Sequence, residues 1–139
     1  MKIHLFYIGK PRDPHLNALA TQYLDRAGRY IRCEMREIQP ARFDLAARHP
    51  SALKILLDPA GKTLDSAALA KLIGRTEDEA REIVFVAGGA DGFPPGWREK
   101  ADLLLSLSAL TFPHELARVM LAEQIYRALA LLRGHPYPK

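Results

Sequence analysis

At 139 residues, 48% of them hydrophobic and 26% charged, the chain suits a single domain, 1–139, that buries roughly two thirds of its unfolded surface without a staple. The single cysteine, Cys33, excludes an intramolecular disulfide, and no Cys/His run has zinc-ligand spacing, so a cytosolic protein without a metal is expected. A net charge of +4 permits an anionic partner such as RNA but does not mark a dedicated nucleic-acid arm. Met1–Lys10 offers only a strand-length apolar run, and the longest unbroken apolar segment, Ala128–Leu132, falls far short of the roughly 20 residues that cross a bilayer. A soluble cytoplasmic protein without a membrane partner is therefore expected.

In chain order, Lys2–Ile8 reads as a buried strand that stops at Gly9. A helix follows, with Asp13 as N-cap, Pro14 at the first helical position, apolar residues at helical spacing from Leu16 to Ala27, and Gly28 at its end. Glu34–Ile38 alternates briefly. Gln39–Ser51, with two prolines and several arginines, suits a surface loop or one short helix. Ala52–Leu57 and Ile83–Ala87 are strand-length apolar runs that end in the turns Asp58–Gly61 and Gly88–Gly92, with a helical pattern at Ser66–Ile73 between them. A last strand, Ala101–Leu107, precedes a long helix from about Pro113 to Arg133. Apolar strands alternating with helices predict an α/β domain, a mostly parallel sheet with helices on both faces. Ligands of such sheets bind beyond the carboxyl ends of the strands, which here are the loops 58–62, 88–93 and 106–113.

Two nucleotide motifs fail on inspection. Ala60-Gly61-Lys62-Thr63 copies the end of a P-loop, but Leu56 stands where the leading glycine is required. Gly88-Gly89-Ala90-Asp91-Gly92 is not G-x-G-x-x-G and runs into Phe93-Pro94-Pro95, so no helix N-terminus faces it. Gly88-Gly89 suits either close approach of a flat ligand or a tight turn. Ser106, Ser108, Ala109 and Thr111 offer backbone and hydroxyl groups without bulk, a way of holding a neutral nucleoside. In the last helix Glu123 and Arg127 form an i, i+4 pair among residues that leave no broad polar face. Such a helix is expected to need a partner subunit, and the pair suits a site as well as a helix-stabilising contact.

The stretch 103–137, LLLSLSALTFPHELARVMLAEQIYRALALLRGHPY, together with Val84–Gly92 and Ile55–Asp58, resembles the RlmH family, bacterial large-subunit ribosomal RNA methyltransferases of the SPOUT superfamily. The resemblance covers nearly the whole chain, and its S-x-x-T-x-P-H, A-E-Q-x-Y-R and H-P-Y elements are specific. It implies a C-terminal deep trefoil knot, S-adenosylmethionine as methyl donor and a homodimer. It also implies methylation at N3 of a pseudouridine in 23S rRNA of the large subunit or 70S ribosome. Carried over by position, Leu57, Gly88, Gly89, Leu107, Ser108, Ala109, Leu110, Thr111 and Phe112 would line the cofactor pocket. Loss of the N3 proton calls for a base or for groups that stabilise negative charge on the flanking carbonyl oxygens, and the candidates are His114, Glu123, Arg127, His135 and Tyr137, with no choice made of the base. The chain departs from the family in its short 39–51 segment and in ending His135-Pro136-Tyr137-Pro138-Lys139, without a second histidine. The tail carries little apolar area, so its removal is expected to spare folding and cofactor binding and to abolish transfer. The competing reading is a catalytically silent RNA- or ribosome-binding protein of the same fold.

Overall fold

Four apolar runs and the alternating segment that ends at Ile38 become the strands of one parallel sheet. In the computed structural model, which describes residues 1–137, the elements follow as β1 (Lys2–Ile8), α1 (Pro14–Ala27), β2 (Arg32–Ile38), α2 (Leu45–Arg48) and β3 (Leu53–Thr63). They continue as α3 (Ser66–Asp78), β4 (Ile83–Ala87), α4 (Trp97–Lys100), β5 (Leu103–Ser106) and α5 (His114–Leu132). The strand order is β2-β1-β4-β3-β5, with every pairing parallel. Central β4 is buried at all five positions, which is why it reads as a continuous apolar run rather than an alternating one.

Alternate residues still choose different faces. Ile3, Leu5, Ile55, Ile83, Phe85 and Leu105 pack against α1, α3 and α5. Phe6, Leu56, Val84 and Val86 turn the other way, onto Phe43, Leu45 and Trp97 from the short helices and their loops. Both faces are covered, as expected, but the three long helices share one of them. Burying each such side chain contributes about 1.5–3 kcal/mol, so both layers matter to stability.

Helix α1 starts where the sequence marks it: the Asp13 carboxylate accepts from the N–H groups of His15 and Leu16, at 2.9 and 3.2 Å. Helix α3 runs five residues beyond the expected Ile73, through Gly74. A Cβ at Gly74 would stand 3.0 Å from Leu132 Cδ2, so this glycine marks a close approach of α3 to α5 rather than an end. Strand β3 continues through the expected turn: its register with β5 shifts between Leu57 and Lys62, both opposite Leu105, and residues 58–61 bulge out between them. Strand β5 is shorter than expected and β2 begins earlier, at Arg32. Helix α4, entered through Gly96 at φ 89°, has no apolar periodicity that announces it.

Helix α5 corrects one expectation. Nine of its residues are buried, yet the cover comes from its own chain, because α1 and α3 flank it above the sheet. An all-round apolar helix here reflects three neighbours in one protomer, and the pattern alone carries no argument for a second chain. Among the described residues no helix is long and apolar enough to cross a membrane.

Candidate active site

The bulge 58–61 of β3 and the loops beyond the carboxyl ends of β4 and β5 enclose a cleft of about 410 Å³. This is the position at which open parallel sheets bind ligands. Leu57 ends one wall, Gly88 and Gly89 form another, and the loop 106–112 forms the third, with His114 and Ala117 of α5 below. Of the residues expected to hold a cofactor, Leu57, Gly88, Gly89, Leu107, Ser108, Leu110, Thr111 and Phe112 line the cleft. Ala109 lies in the same loop but is not among the lining residues.

Of the two uses considered for the glycines, the structure shows the tight turn, packed against the chain's own backbone. Gly89 bridges Gly92 in a tight turn, and a Cβ on Gly89 would lie 2.9 Å from the Ile8 carbonyl oxygen, too close to fit without a backbone shift. In the third loop the Ser106 hydroxyl donates to the Ser108 carbonyl at 3.0 Å, and the Leu110 N–H donates to Ser108 Oγ at 3.0 Å. These two bonds hold the loop open without a bulky side chain. Leu110 is left 71% exposed at the mouth.

Two charged residues of the cleft escaped the sequence reading. Asp58, whose side chain is only 11% exposed, pairs with Arg98 Nε across the cleft. An aspartate at the carboxyl end of a buried strand was the available signal, but the turn Asp58-Pro59-Ala60-Gly61 explained it away. Arg98 comes from α4, which the sequence did not reveal.

Of the five proton-handling candidates, His114 lines the cleft. Glu123, Arg127 and Tyr137 form a separate cluster. Arg127 donates through Nε and Nη2 to Glu123 Oε2, at 3.1 and 2.7 Å, and the Tyr137 hydroxyl donates to the same oxygen at 2.7 Å. The hydrogen bond to Glu123 holds the Arg127 guanidinium above its ordinary pKa. Burial, and then the bond to Glu123, push the Tyr137 phenol well above its own. His135 joins through Nδ1, which accepts the Tyr137 N–H at 3.2 Å. The tail is therefore more than a spacer: the Tyr137 ring packs 4.6 Å from that of Tyr126 and against the main core. None of these four residues lines the cleft of its own chain. Pro138 and Lys139 lie outside the described residues.

Beneath the site, Arg118 is almost wholly buried. Its guanidinium sits 3.8 Å over the Tyr7 ring, Nη2 donates to Asn17 Oδ1 at 3.3 Å, and Nε has no partner among the described residues. Burial lowers the Arg118 pKa, which the negative charge of Glu115 partly opposes. Glu115, in the first turn of α5, accepts from the backbone N–H groups of Arg12 and Asp13 and so ties the β1–α1 loop to α5.

Comparison with known proteins agrees with the architecture. The profile of the family described as "Predicted SPOUT methyltransferase" matches residues 1–138. The chain is 65% identical over 137 residues to the ribosomal RNA large subunit methyltransferase H of Solibacter usitatus, with 99% of each chain covered. It is 43% identical over 143 residues to the protein of the same name from Sorangium cellulosum, again with 99% of each covered. Among solved structures, a probable methyltransferase from Bordetella pertussis superimposes with a TM-score of 0.63 at 16% identity, covering 91% of this chain and 93% of that one. A probable methylase family protein from Haemophilus influenzae gives 0.66 at 10% identity, covering 99% of this chain and 70% of that one. At such identities the likeness shows the fold. With the family profile and the sequence relatives, it leads to one conclusion: the chain belongs to the SPOUT methyltransferase family.

Proposed function

We propose that this protein transfers a methyl group from S-adenosylmethionine to N3 of a pseudouridine in 23S rRNA of the large ribosomal subunit, as a cytoplasmic homodimer. The observation that carries this reading is the cleft at the carboxyl ends of β3, β4 and β5, in a chain 65% identical to a large-subunit methyltransferase.

The residues present fit that cofactor. A volume of 410 Å³ lies within the range of roughly 300–1,000 Å³ typical of ligand clefts. Leu57, Leu107 and Phe112 supply apolar walls for an adenine ring, and the backbone of 106–112 supplies donors and acceptors for its edge. The Asp58–Arg98 pair offers opposite charges to a zwitterionic amino-acid end and a sulfonium. When bound, the group supplies an electrophilic methyl, so the chain's task is to align the acceptor and manage its proton. Holding two reactants in line lowers the barrier by about 7–11 kcal/mol.

N3–H of a uracil-type ring is a weak acid and must lose its proton near the moment of attack. His114, which lines the cleft, is the proposed acceptor of that proton. Arg127 and Tyr137 carry donors suited to stabilising negative charge on the flanking carbonyl oxygens, and they reach a cleft only if it belongs to a second copy. The outward stripe of α5 supports such a dimer: Leu116 and Leu131, 36% and 46% exposed, flank Glu123 and Arg127 along the helix. The knot expected of the family belongs to the same reading.

Titration calorimetry with S-adenosylmethionine and its demethylated product tests the reading. Saturable heat and a raised melting temperature are expected. Absence of both would replace the enzyme with the silent RNA-binding alternative.

A further inference from the structure

We propose that His4, His49 and Glu82 form a zinc site at the edge of the sheet opposite the cleft. The three residues lie in β1, just after α2 and just before β4. Each offers one ligand atom, and the three atoms lie within 4.8 Å of one another. His4 Nε2 stands 3.2 Å and His49 Nδ1 3.7 Å from Glu82 Oε1. Ligands at zinc–nitrogen distances of about 2.0–2.1 Å on a tetrahedron stand about 3.4 Å apart; the two spacings to Glu82 lie on either side of that value, and a small movement of the His49 ring would draw all three atoms, now within 4.8 Å, onto one ion.

The hydrogen-bonding of His4 points the same way. The residue is only 5% exposed, and both its ring nitrogens face carboxylate oxygens: Nε2 faces Glu82, and Nδ1 faces Glu34 Oε1 at 3.4 Å. A neutral imidazole has one N–H and one lone pair, so it can donate to only one of the two carboxylates. The His49 ring, whose centroid is 4.7 Å away, faces the same Glu82 carboxylate. A divalent cation resolves the conflict. Nε2 gives its lone pair to the metal alongside His49 and Glu82, and Nδ1–H donates to Glu34, which Lys2 also holds at 3.4 Å. A carboxylate on the distal nitrogen of a metal-bound histidine is the usual supporting arrangement.

The surroundings hold the His49 imidazole against apolar rings. His49 packs 5.6 Å from the Phe6 ring and 6.2 Å from the Phe43 ring, and Phe6 is fully buried. Two imidazoles and one carboxylate, with water at the fourth position, suit zinc by ligand type. The site would fasten the 43–49 segment to β1 and β4, covering a sheet face that has no long helix. Ligands so far apart in the chain leave no spacing for a sequence to show.

The test uses the full-length chain without a histidine tag, stripped of metal. Zinc titration by calorimetry should give one ion per chain, and cobalt(II) should develop the visible absorption of a tetrahedral centre. Zinc should also raise the melting temperature. His49→Gln and Glu82→Gln, both partly exposed and so compatible with folding, should each lose more than tenfold in affinity and abolish the melting shift. Glu34→Gln should weaken binding by about 10–100-fold. Absence of zinc binding at tens of micromolar metal, or binding unchanged in His49→Gln, would overturn the proposal and leave a hydrogen-bonded ionic cluster.

Discussion

Tyr137 and Glu123 are joined by a 2.7 Å hydrogen bond that ties the chain's tail to the middle of α5. The same carboxylate receives Arg127, so one acidic side chain organises both a cation and a phenol. Removing residues 135–139 therefore strips a ring from Tyr126 and a donor from Glu123, and it costs more stability than a loose tail would. Tyr137→Phe keeps the ring and removes the donor. It should lower stability by roughly 1.5 kcal/mol, the scale of a hydrogen bond to a charged group, as read by denaturant unfolding. If Tyr137 serves the acceptor base, the single-turnover methylation rate should fall at least tenfold while cofactor affinity changes less than twofold. Equal loss in both would assign Tyr137 to folding alone.

Glycine substitutions separate the cleft from the scaffold. A Cβ at Gly61 would lie 2.5 Å from the carbonyl carbon and oxygen of Leu104, a backbone that cannot move aside. Gly61→Ala should destabilise the chain by about 3 kcal/mol or more and lower its soluble yield. At Gly89 the intruded atom is the Ile8 carbonyl oxygen at 2.9 Å. Gly89→Ala should cost about 1–3 kcal/mol and weaken S-adenosylmethionine binding at least tenfold, because the displaced turn forms a cleft wall. Melting curves with and without cofactor distinguish the two. Normal binding and stability in Gly89→Ala would contradict the close approach.

Acid should loosen the seam between the β1–α1 loop and α5. Hydrogen bonds from the backbone N–H groups of Arg12 and Asp13, aided by Arg118, hold the Glu115 carboxyl below its ordinary pKa. A carboxyl with a depressed folded-state pKa contributes stability that is fully present above its unfolded value, about 4.3, and is lost as pH falls through the folded value. Glu115→Gln should therefore be less stable than the parent by about 1 kcal/mol at pH 7, and the gap should close toward pH 3. Urea midpoints measured across that range check it. A gap that persists at pH 3 would assign the loss to shape rather than charge.

Much of the fold was legible because single residues announce it. Asp13 and Pro14 mark the start of α1 in the sequence and cap it in the structure, and Ile83–Ala87 is apolar throughout because it is the buried central strand. The errors arose where a local signal had a tertiary cause. Gly74 looks like a helix breaker but makes room for Leu132, and Asp58–Gly61 looks like a strand end but is a bulge within β3. The three cleft loops followed from the rule for parallel sheets, whereas Arg98 was invisible because α4 has no periodicity. The pairing of Tyr137 with Glu123 spans fourteen residues and a chain reversal at Gly134, φ 71°, which sequence spacing does not encode.

The most direct test is methyl transfer to ribosomal RNA. Large subunits from a strain lacking the corresponding enzyme are incubated with this protein and labelled S-adenosylmethionine, and the RNA is digested and mapped by mass spectrometry. One methyl per particle is expected, on N3 of a single pseudouridine of 23S rRNA, with loss of transfer when the cleft is closed by Gly89→Ala. Cofactor binding without any methyl on the RNA of either ribosomal subunit would contradict the proposed activity.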